Sequence, residues 1–456
     1  MDSASCSVRF PIMELRERLK AMGVRPRVPG GTPPGMPEGQ QPAPETPQAA
    51  ESSLLSSPAP LSRQRLKIEH ALSGIWHDTV EGPCFVFERR YPVSHPRGPV
   101  MLGSVLHSRP NVLWEAGRAL SLRDVDARKL LFLDTETTGL SGGTGTYVFL
   151  VGVGFFSEDG QEVVIRQYFL TDVSAERAML HALNDLFANF TAVVTFNGKS
   201  FDWPLLETRF TYSRVRCILR DPPHLDMLGP SRRLWKDRLP SCSLETLEQM
   251  VLGFNRGFDV PGWRIPSLYF QYLRAGHAGH ILPVFEHNEH DLLTLVALTG
   301  HVGNILDSPD EADLQAAEWF GLGKLFEDLA RYTDSLRAYS KGLDFNPSPE
   351  LRGLALRRLS FLYKYLQQQE EAVAIWNRLA AEGTHLMFPY LELAKHYEHR
   401  VKDYAAAAEY TLLAQVRATN AVERAELQHR LDRVAAKARR QAERQTPEPA
   451  PQQPQA

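Results

Sequence analysis

Apolar and polar residues follow three successive rhythms along the chain. Residues 12–22 carry Ile12, Leu15, Leu19 and Met22 at helical spacing among charged residues, with Pro11 in front. That pattern predicts a short amphipathic helix. From Pro26 to about Pro60, Pro, Gly, Gln, Ser and Ala dominate. Such a segment cannot bury enough apolar surface to fold, so residues 1–65 are expected to be a disordered N-terminal region apart from that helix. Order is expected from Leu66. Phe85, Phe87, Arg89 and Tyr91 alternate with Val86, Glu88 and Arg90. The alternation predicts a strand closed by Pro92, within a small flanking element over 66–127.

From Lys129 the rhythm becomes α/β. Strands are predicted over 129–134, 146–153 and 162–169, joined by short turns as an antiparallel meander. A helix follows over 174–189, with Ser174 as its N-cap and Met179, Leu180, Leu183, Leu186 and Phe187 as its apolar stripe. A strand over 192–196, a helix from about Trp203, a short strand at 224–226 and further helices complete a domain over 128–306. A meander followed by helix–strand crossovers implies a mixed sheet covered by helices.

After Pro309 the strand pattern stops. Trp319, Leu322, Gly323, Phe326, Tyr339 and Pro347 follow the tetratricopeptide spacing. Ser360, Tyr363, Ala372, Trp376 and Leu379 suggest a second unit; Ala394, Tyr397, Ala406, Tyr410 and Leu413 suggest a third. The small positions Gly323, Ser360 and Ala394 recur close to the usual period of about 34 residues. Residues 311–445 are therefore expected to form a short all-α solenoid, closed by a charged helix over 421–445. Residues 446–456 read as a Pro/Gln tail.

Composition narrows the function. At 456 residues the chain should hold two or three domains. A formal net charge of −3 excludes a globally basic nucleic-acid coat and leaves room for a local basic groove. Cys6, Cys84, Cys217 and Cys242 form no CxxC, so neither a zinc framework nor a disulfide scaffold is expected. With no apolar run long enough to span a bilayer and no signal-peptide pattern, the expectation is a cytoplasmic protein with no membrane association.

The chemistry concentrates where the first core strand ends. Asp134 and Glu136 stand two apart, so on an extended chain both point the same way. Two such acids repel each other, which a cation between them would relieve; by themselves they also suit a turn with an exposed acid. Downstream, Asn197-Gly198 supplies a tight turn and Asp202 opens the next helix. By itself Asp202 also suits a plain helix N-terminus. His287 and Asp291 are four apart and share a helical face beside an apolar stripe, as a salt-bridged pair or as part of a site.

Taken together, D-x-E after a strand, N-G-x-x-F-D after another and H-x3-D on a late helix resemble the DEDD 3′–5′ exonucleases of the ribonuclease H-like fold. The stretch from Asp134 to Tyr147, the run from Arg232 to Lys236, and His287-Asn288 with Asp291 are similar to bacterial YprB-type ribonuclease H-like proteins. The resemblance spans about residues 66–306. It implies that Asp134, Glu136, Asp202 and Asp291 hold two divalent cations, Mg²⁺ or Mn²⁺, which also suits an all-carboxylate donor set. Asp134 would bridge the ions, Glu136 would also contact the terminal nucleotide or the attacking water, and Asp202 would act partly through water. One subclass places Tyr four residues before the last Asp, and the other places His five before. Here His287 is an imidazole at the four-residue spacing. It is a candidate general base, the alternative being that it only orients Asp291 or the scissile phosphate.

Arg232, Arg233, Lys236 and Arg238 around Leu234 and Trp235 suggest a single-strand contact, with cations for phosphates and a ring for stacking; a solvated helix face is the alternative. Asn197 and Lys199 are further candidate contacts. Asp226 could serve as a fifth ligand, but the family scheme is complete without it, so a supporting or structural role is expected; His290 is read as structural. Gly142, Gly143 and Gly145 lack the ending of a phosphate loop and form either a bent turn or a close approach to nucleic acid. The expected function is a metal-dependent 3′–5′ exonuclease on single-stranded DNA or RNA, with the repeats recruiting a protein partner or substrate. The alternatives are a non-catalytic nucleic-acid-binding adaptor and a structure-specific endonuclease.

Overall fold

Seven strands form the main sheet, in the order β1-β2-β7-β6-β5-β8-β9. They are β1 (Ile75–Thr79), β2 (Gly82–Pro92), β5 (Leu130–Thr137), β6 (Val148–Phe156), β7 (Glu162–Phe169), β8 (Ala192–Thr195) and β9 (His224–Asp226). A two-residue pair, β3 (Pro96–Arg97) and β4 (Val100–Met101), stands apart from it. This computed structural model describes residues 66–109, 111–139, 145–383 and 386–445. The expected helix at 12–22, the Pro-rich segment, Gly142, Gly143 and the 446–456 tail lie outside those residues.

β5 is central because it is apolar on both sides. It pairs antiparallel with β6 and parallel with β8, and β8 continues parallel to β9. Leu131 and Leu133 join one core with Met179, Leu183 and Phe210. Leu130 and Phe132 join the opposite core with Leu292, Val296 and Trp235. A strand covered on both faces is a near-continuous hydrophobic run. This one ends where its carboxylates begin.

The helices supply the covering. α1 (Ile68–Ala71), α2 (Ser104–His107) and α3 (Val112–Gly117) precede β5. α4 (Glu176–Phe187), α5 (Asp202–Tyr212), α6 (Leu228–Trp235), α7 (Leu244–Met250) and α8 (Ile265–Ala275) follow, and α9 (Leu282–Asp307) lies against β5, β6 and β7. The mixed sheet covered by helices is thus present. Two expectations change. Residues 75–92 are not a flanking element: β2 pairs with β7 from Phe85 to Pro92 and extends the same sheet. β7 would otherwise present an unpaired edge. Ser174 is not the N-cap. Asp172 accepts from the Ser174 N–H and caps a 3₁₀ turn, Val173–Ala175, that leads into α4.

Beyond residue 309 the described chain is helical: α10 (Ala316–Asp328), α11 (Tyr332–Asp344), α12 (Pro349–Tyr365), α13 (Gln369–Ala381), α14 (Phe388–His396), α15 (Tyr404–Val416) and α16 (Ala421–Gln445). Consecutive helices pack on one another. Gly323 matters here, because a Cβ on it would sit 2.4 Å from the Tyr339 ring. The first of these helices shares the sheet's core. Trp319, Leu322, Leu325 and Phe326 of α10 belong to the cluster that holds Trp235 and Val296. A Cβ on Gly321 would lie 2.3 Å from the Arg233 carbonyl oxygen.

Candidate active site

Two parallel strands, β5 and β8, aim their carboxyl ends at the same place, the usual position for a site on an open α/β sheet. Asp134 and Glu136 occupy alternate positions of β5. Between them, the Thr135 hydroxyl donates to Asp202 Oδ1 at 2.5 Å. Asp202 is brought there by the turn after β8. Asn197 adopts a left-handed φ of 63°, and Asp226 at the end of β9 accepts from the N–H groups of Asn197 (2.8 Å) and Lys199 (3.2 Å). Asp226 therefore clamps the turn, as its structural reading anticipated. Gly198 is needed in that turn, because a Cβ there would come 2.6 Å from Thr195 Cβ and 2.8 Å from Asp202 Oδ2.

Helix α9 brings the third group. Buried Asn288 donates to Asp134 Oδ2 at 2.8 Å and accepts from Gln167 Nε2 of β7 at 2.8 Å. The helix can approach because β6 carries Gly152, where a Cβ would lie 2.0 Å from Asn288 Oδ1. One residue earlier, His287 Nδ1 lies 2.9 and 3.0 Å from the two Asp259 oxygens. Its Nε2 faces Asp291 Oδ2 at 3.4 Å and Glu136 Oε1 at 3.9 Å. Arg256 donates to Asp291 Oδ1 at 2.5 Å and to Asp259 Oδ2 at 3.0 Å, and also pairs with buried Glu248. Glu248 is shared with Arg97, whose guanidinium lies 3.2 Å from His290 Nδ1. His290 is thus part of the supporting network.

The electrostatics are those of crowded acids. Burial, then repulsion from Asp291 and Asp202, raises Asp134 well above the usual carboxylate range, against the Asn288 hydrogen bond. Burial and the charges of Asp134, Asp291 and Asp202 do the same to Glu136. Asp202 is raised by burial, with the Thr135 hydrogen bond opposing. Asp259 goes the other way. Burial pushes it up, but hydrogen bonds and charge from His287 and Arg256 outweigh that and hold it at about 2. Burial pulls His287 down, and Asp259 and Asp291 more than reverse this.

Oxygen-only donors in a crowded, partly buried group fit a hard divalent cation. Asn288, Thr135 and Arg256 each engage one oxygen of Asp134, Asp202 and Asp291, and the second oxygen of Asp291 faces His287 Nε2 at 3.4 Å. Among the described residues no three His, Cys, Asp or Glu side chains form a finished metal-ligand cluster. The case for a cation rests on donor chemistry and on the mutual repulsion of the acids.

The proposed strand contacts divide. Arg232, Lys236 and Lys199 are exposed. Arg233 donates to the Ala116 carbonyl at 3.0 Å, and burial lowers its pKa. Trp235 is corrected: it is 1% exposed, stacks on His301 and donates to Glu318 Oε1 at 2.8 Å, so its ring is not open to a base. Exposed aromatics stand elsewhere in the chain: Phe201 at 59%, which precedes Asp202 in sequence, Phe258 at 93%, which precedes Asp259, and Trp263 at 75%. Sequence reasoning missed Asp259 and Arg256, and quoted Asn288 within the His287–Asp291 motif without seeing that it holds Asp134. Gly152 inside an apolar strand was a signal for that contact, since such a glycine often marks a close approach.

Residues 131–302 match RNase_H_2, a model of the RNase_H superfamily, so this domain is of the ribonuclease H-like class, which points to nuclease chemistry on nucleic acid. The chain is also 33% identical over 331 residues to Bacillus subtilis (strain 168) YprB, a protein described as uncharacterized. That likeness covers 71% of this chain and 78% of YprB, and the chain belongs to the YprB family. The family B DNA polymerase of the hyperthermophilic archaeon Pyrobaculum calidifontis overlaps 46% of the chain at 16% identity and a TM-score of 0.29, and the chain spans 29% of its length. Among the described residues no helix is long and apolar enough to cross a membrane.

Proposed function

We propose that the protein is a cytoplasmic, metal-dependent 3′–5′ exonuclease that removes nucleotides from single-stranded DNA or RNA. The observation that carries this reading is the meeting of the acids from three separated motifs, Asp134 and Glu136, Asp202, and Asp291, with His287 facing two of them. The four acids would hold two Mg²⁺ or Mn²⁺ ions. When bound, such ions supply charge stabilisation for the scissile phosphate and its departing oxygen.

The chain's own groups do the rest. His287 Nε2 takes a proton from water, and the water oxygen bonds to phosphorus. The bond from phosphorus to the 3′-oxygen breaks, and that oxygen takes a proton from solvent. The products are a nucleoside 5′-monophosphate and a shortened strand, and His287 then loses its proton to solvent. Asn288 fixes Asp134, Thr135 fixes Asp202, and Arg256 fixes Asp291. Phe201, Phe258 and Trp263 offer faces for bases, with Asn197, Lys199, Arg232 and Lys236 toward phosphates. The helical region, read as tetratricopeptide repeats, would recruit a protein partner or guide the strand. A second reading, a strand-binding adaptor without catalysis, is favoured by Arg256, which already supplies Asp291 with a cation.

The test uses the full chain with Mn²⁺ or Mg²⁺ and 5′-labelled single strands of DNA and of RNA. Stepwise shortening is expected, and Asp134→Asn should abolish it while leaving strand binding measurable. Wild-type protein that binds both strands and cuts neither with either metal decides for the adaptor.

A further inference from the structure

Asp259 lies outside every motif of the sequence, in the stretch between α7 and α8. Its carboxylate nevertheless reaches the candidate active site. Both oxygens are within 3.0 Å of His287 Nδ1. Arg256 donates to Oδ2 at 3.0 Å, and the Val260 N–H donates to Oδ1 at 2.7 Å. An ionised carboxylate only accepts hydrogen bonds, so the hydrogen of this contact sits on His287 Nδ1. That choice fixes the face of the ring. Nε2 is turned toward Asp291 and Glu136, the two acids at 3.4 and 3.9 Å.

Asp259 is itself held from behind. Arg256 joins it to Asp291 and to Glu248, and Glu248 is anchored by buried Arg97. A second group that fixes an imidazole's tautomer and direction is a recurring requirement of histidine chemistry. Here it comes from a part of the chain far from the acids in sequence.

We propose that Asp259 is the positioning residue of an Asp259–His287 pair, which holds the imidazole with Nε2 facing the water to be activated. The proposal rests on the nuclease reading and adds a residue to it. It also accounts for the spacing of His287. Four residues before Asp291 the imidazole lies on the same helical face as that acid, and Asp259 supplies the orientation from the other side. The competing role is purely architectural, with Asp259 serving only as a partner for Arg256.

Two readouts on the full-length protein separate these. The first needs no turnover. In protein labelled with ¹⁵N-histidine, a far-downfield Nδ1–H proton is expected from His287, absent in His287→Ala and in Asp259→Ala and retained in Asp259→Glu. The second is steady-state cleavage. Asp259→Asn, close in shape to the native side chain, is expected to lower kcat by about 10- to 100-fold, the usual cost of losing such an orienting partner. KM should stay unchanged, Asp259→Glu should recover part of kcat, and Asp259→Ala should cost nothing further in a His287→Ala background. A resonance that survives Asp259→Ala, an unchanged kcat, or a full additional loss in the His287→Ala background each overturns the proposal. A wild-type protein that shows the resonance but cleaves neither DNA nor RNA overturns the nuclease reading instead, with the pairing itself established.

Discussion

Gly152 sets how near α9 can come to the sheet. With no side chain at that point of β6, Asn288 enters the core and bonds Asp134 on β5 and Gln167 on β7 at once. A methyl group 2.0 Å from Asn288 Oδ1 has nowhere to go, because the obstacle is a buried side chain already committed on both sides. Gly152→Ala is therefore expected to destabilise the protein by about 1–3 kcal/mol, the range for overpacking. A lower urea midpoint with an unchanged slope would show it. Cleavage should fall as well, since Asp134 loses its buried donor. The residues of the site differ in how readable they were. Asp134, Glu136, Asp202, His287 and Asp291 stand at spacings that local geometry makes meaningful. Asp259 and Arg256 have no such spacing, because their partners lie 28 and 35 residues away in sequence. Trp235 misled because its charged neighbours Arg232 and Lys236 are exposed, while the ring itself turns under α10.

Among elements, the stretch between α7 and α8 has two sides. Arg256 and Asp259 turn inward to Asp291 and His287, and Phe258 and Trp263 stand in solvent. An exposed ring in the stretch that also carries Arg256 and Asp259 suits stacking of a base, a contact worth about 1–3 kcal/mol per base. Adding an oligonucleotide in the absence of metal should quench tryptophan emission. Trp263→Phe should remove most of the quenching and keep the affinity. The double substitution Phe258→Ala, Trp263→Ala should weaken binding by about tenfold or more in fluorescence anisotropy, given that stacking energy. Unchanged affinity would remove this stretch from the strand path. The core strands and α4 were legible because alternation and helical periodicity are local. That β2 completes the main sheet was not, because pairing with β7 joins segments some seventy residues apart, and nothing in β2 itself names its partner.

Over the whole molecule, the first helices of the C-terminal region join one of the two cores that flank the sheet, and the later ones pack in clusters of their own. Leu234 and Trp235 are covered by α10, Trp235 donates to Glu318, and Arg331 meets Glu115 at 2.7 Å. A chain ending at residue 309 uncovers Leu234 and Trp235, each worth about 1.5–3 kcal/mol of burial. It is expected to melt at a lower temperature than the full chain and to bind a hydrophobic dye that the full chain does not. Equal melting and no dye binding would show that the ribonuclease H-like domain stands without the C-terminal helices. By itself the amino-acid sequence determined the order of the main strands and helices from residue 129 to the strand at 224–226 and the helical character beyond residue 309, and it proposed the acids of the candidate site. Those depend on periodicity and on spacing along one element, which the chain carries locally. Only the tertiary structure decided that β2 joins the main sheet, that Trp235 is interior, and that Asp259 reaches His287. Each of these depends on which distant surfaces bury each other, and packing among all the elements settles that at once. The carboxylate pair at the end of β5 belongs to both accounts: two acids by sequence, and a crowded, partly buried candidate site once α5 and α9 bring Asp202 and Asp291 toward them.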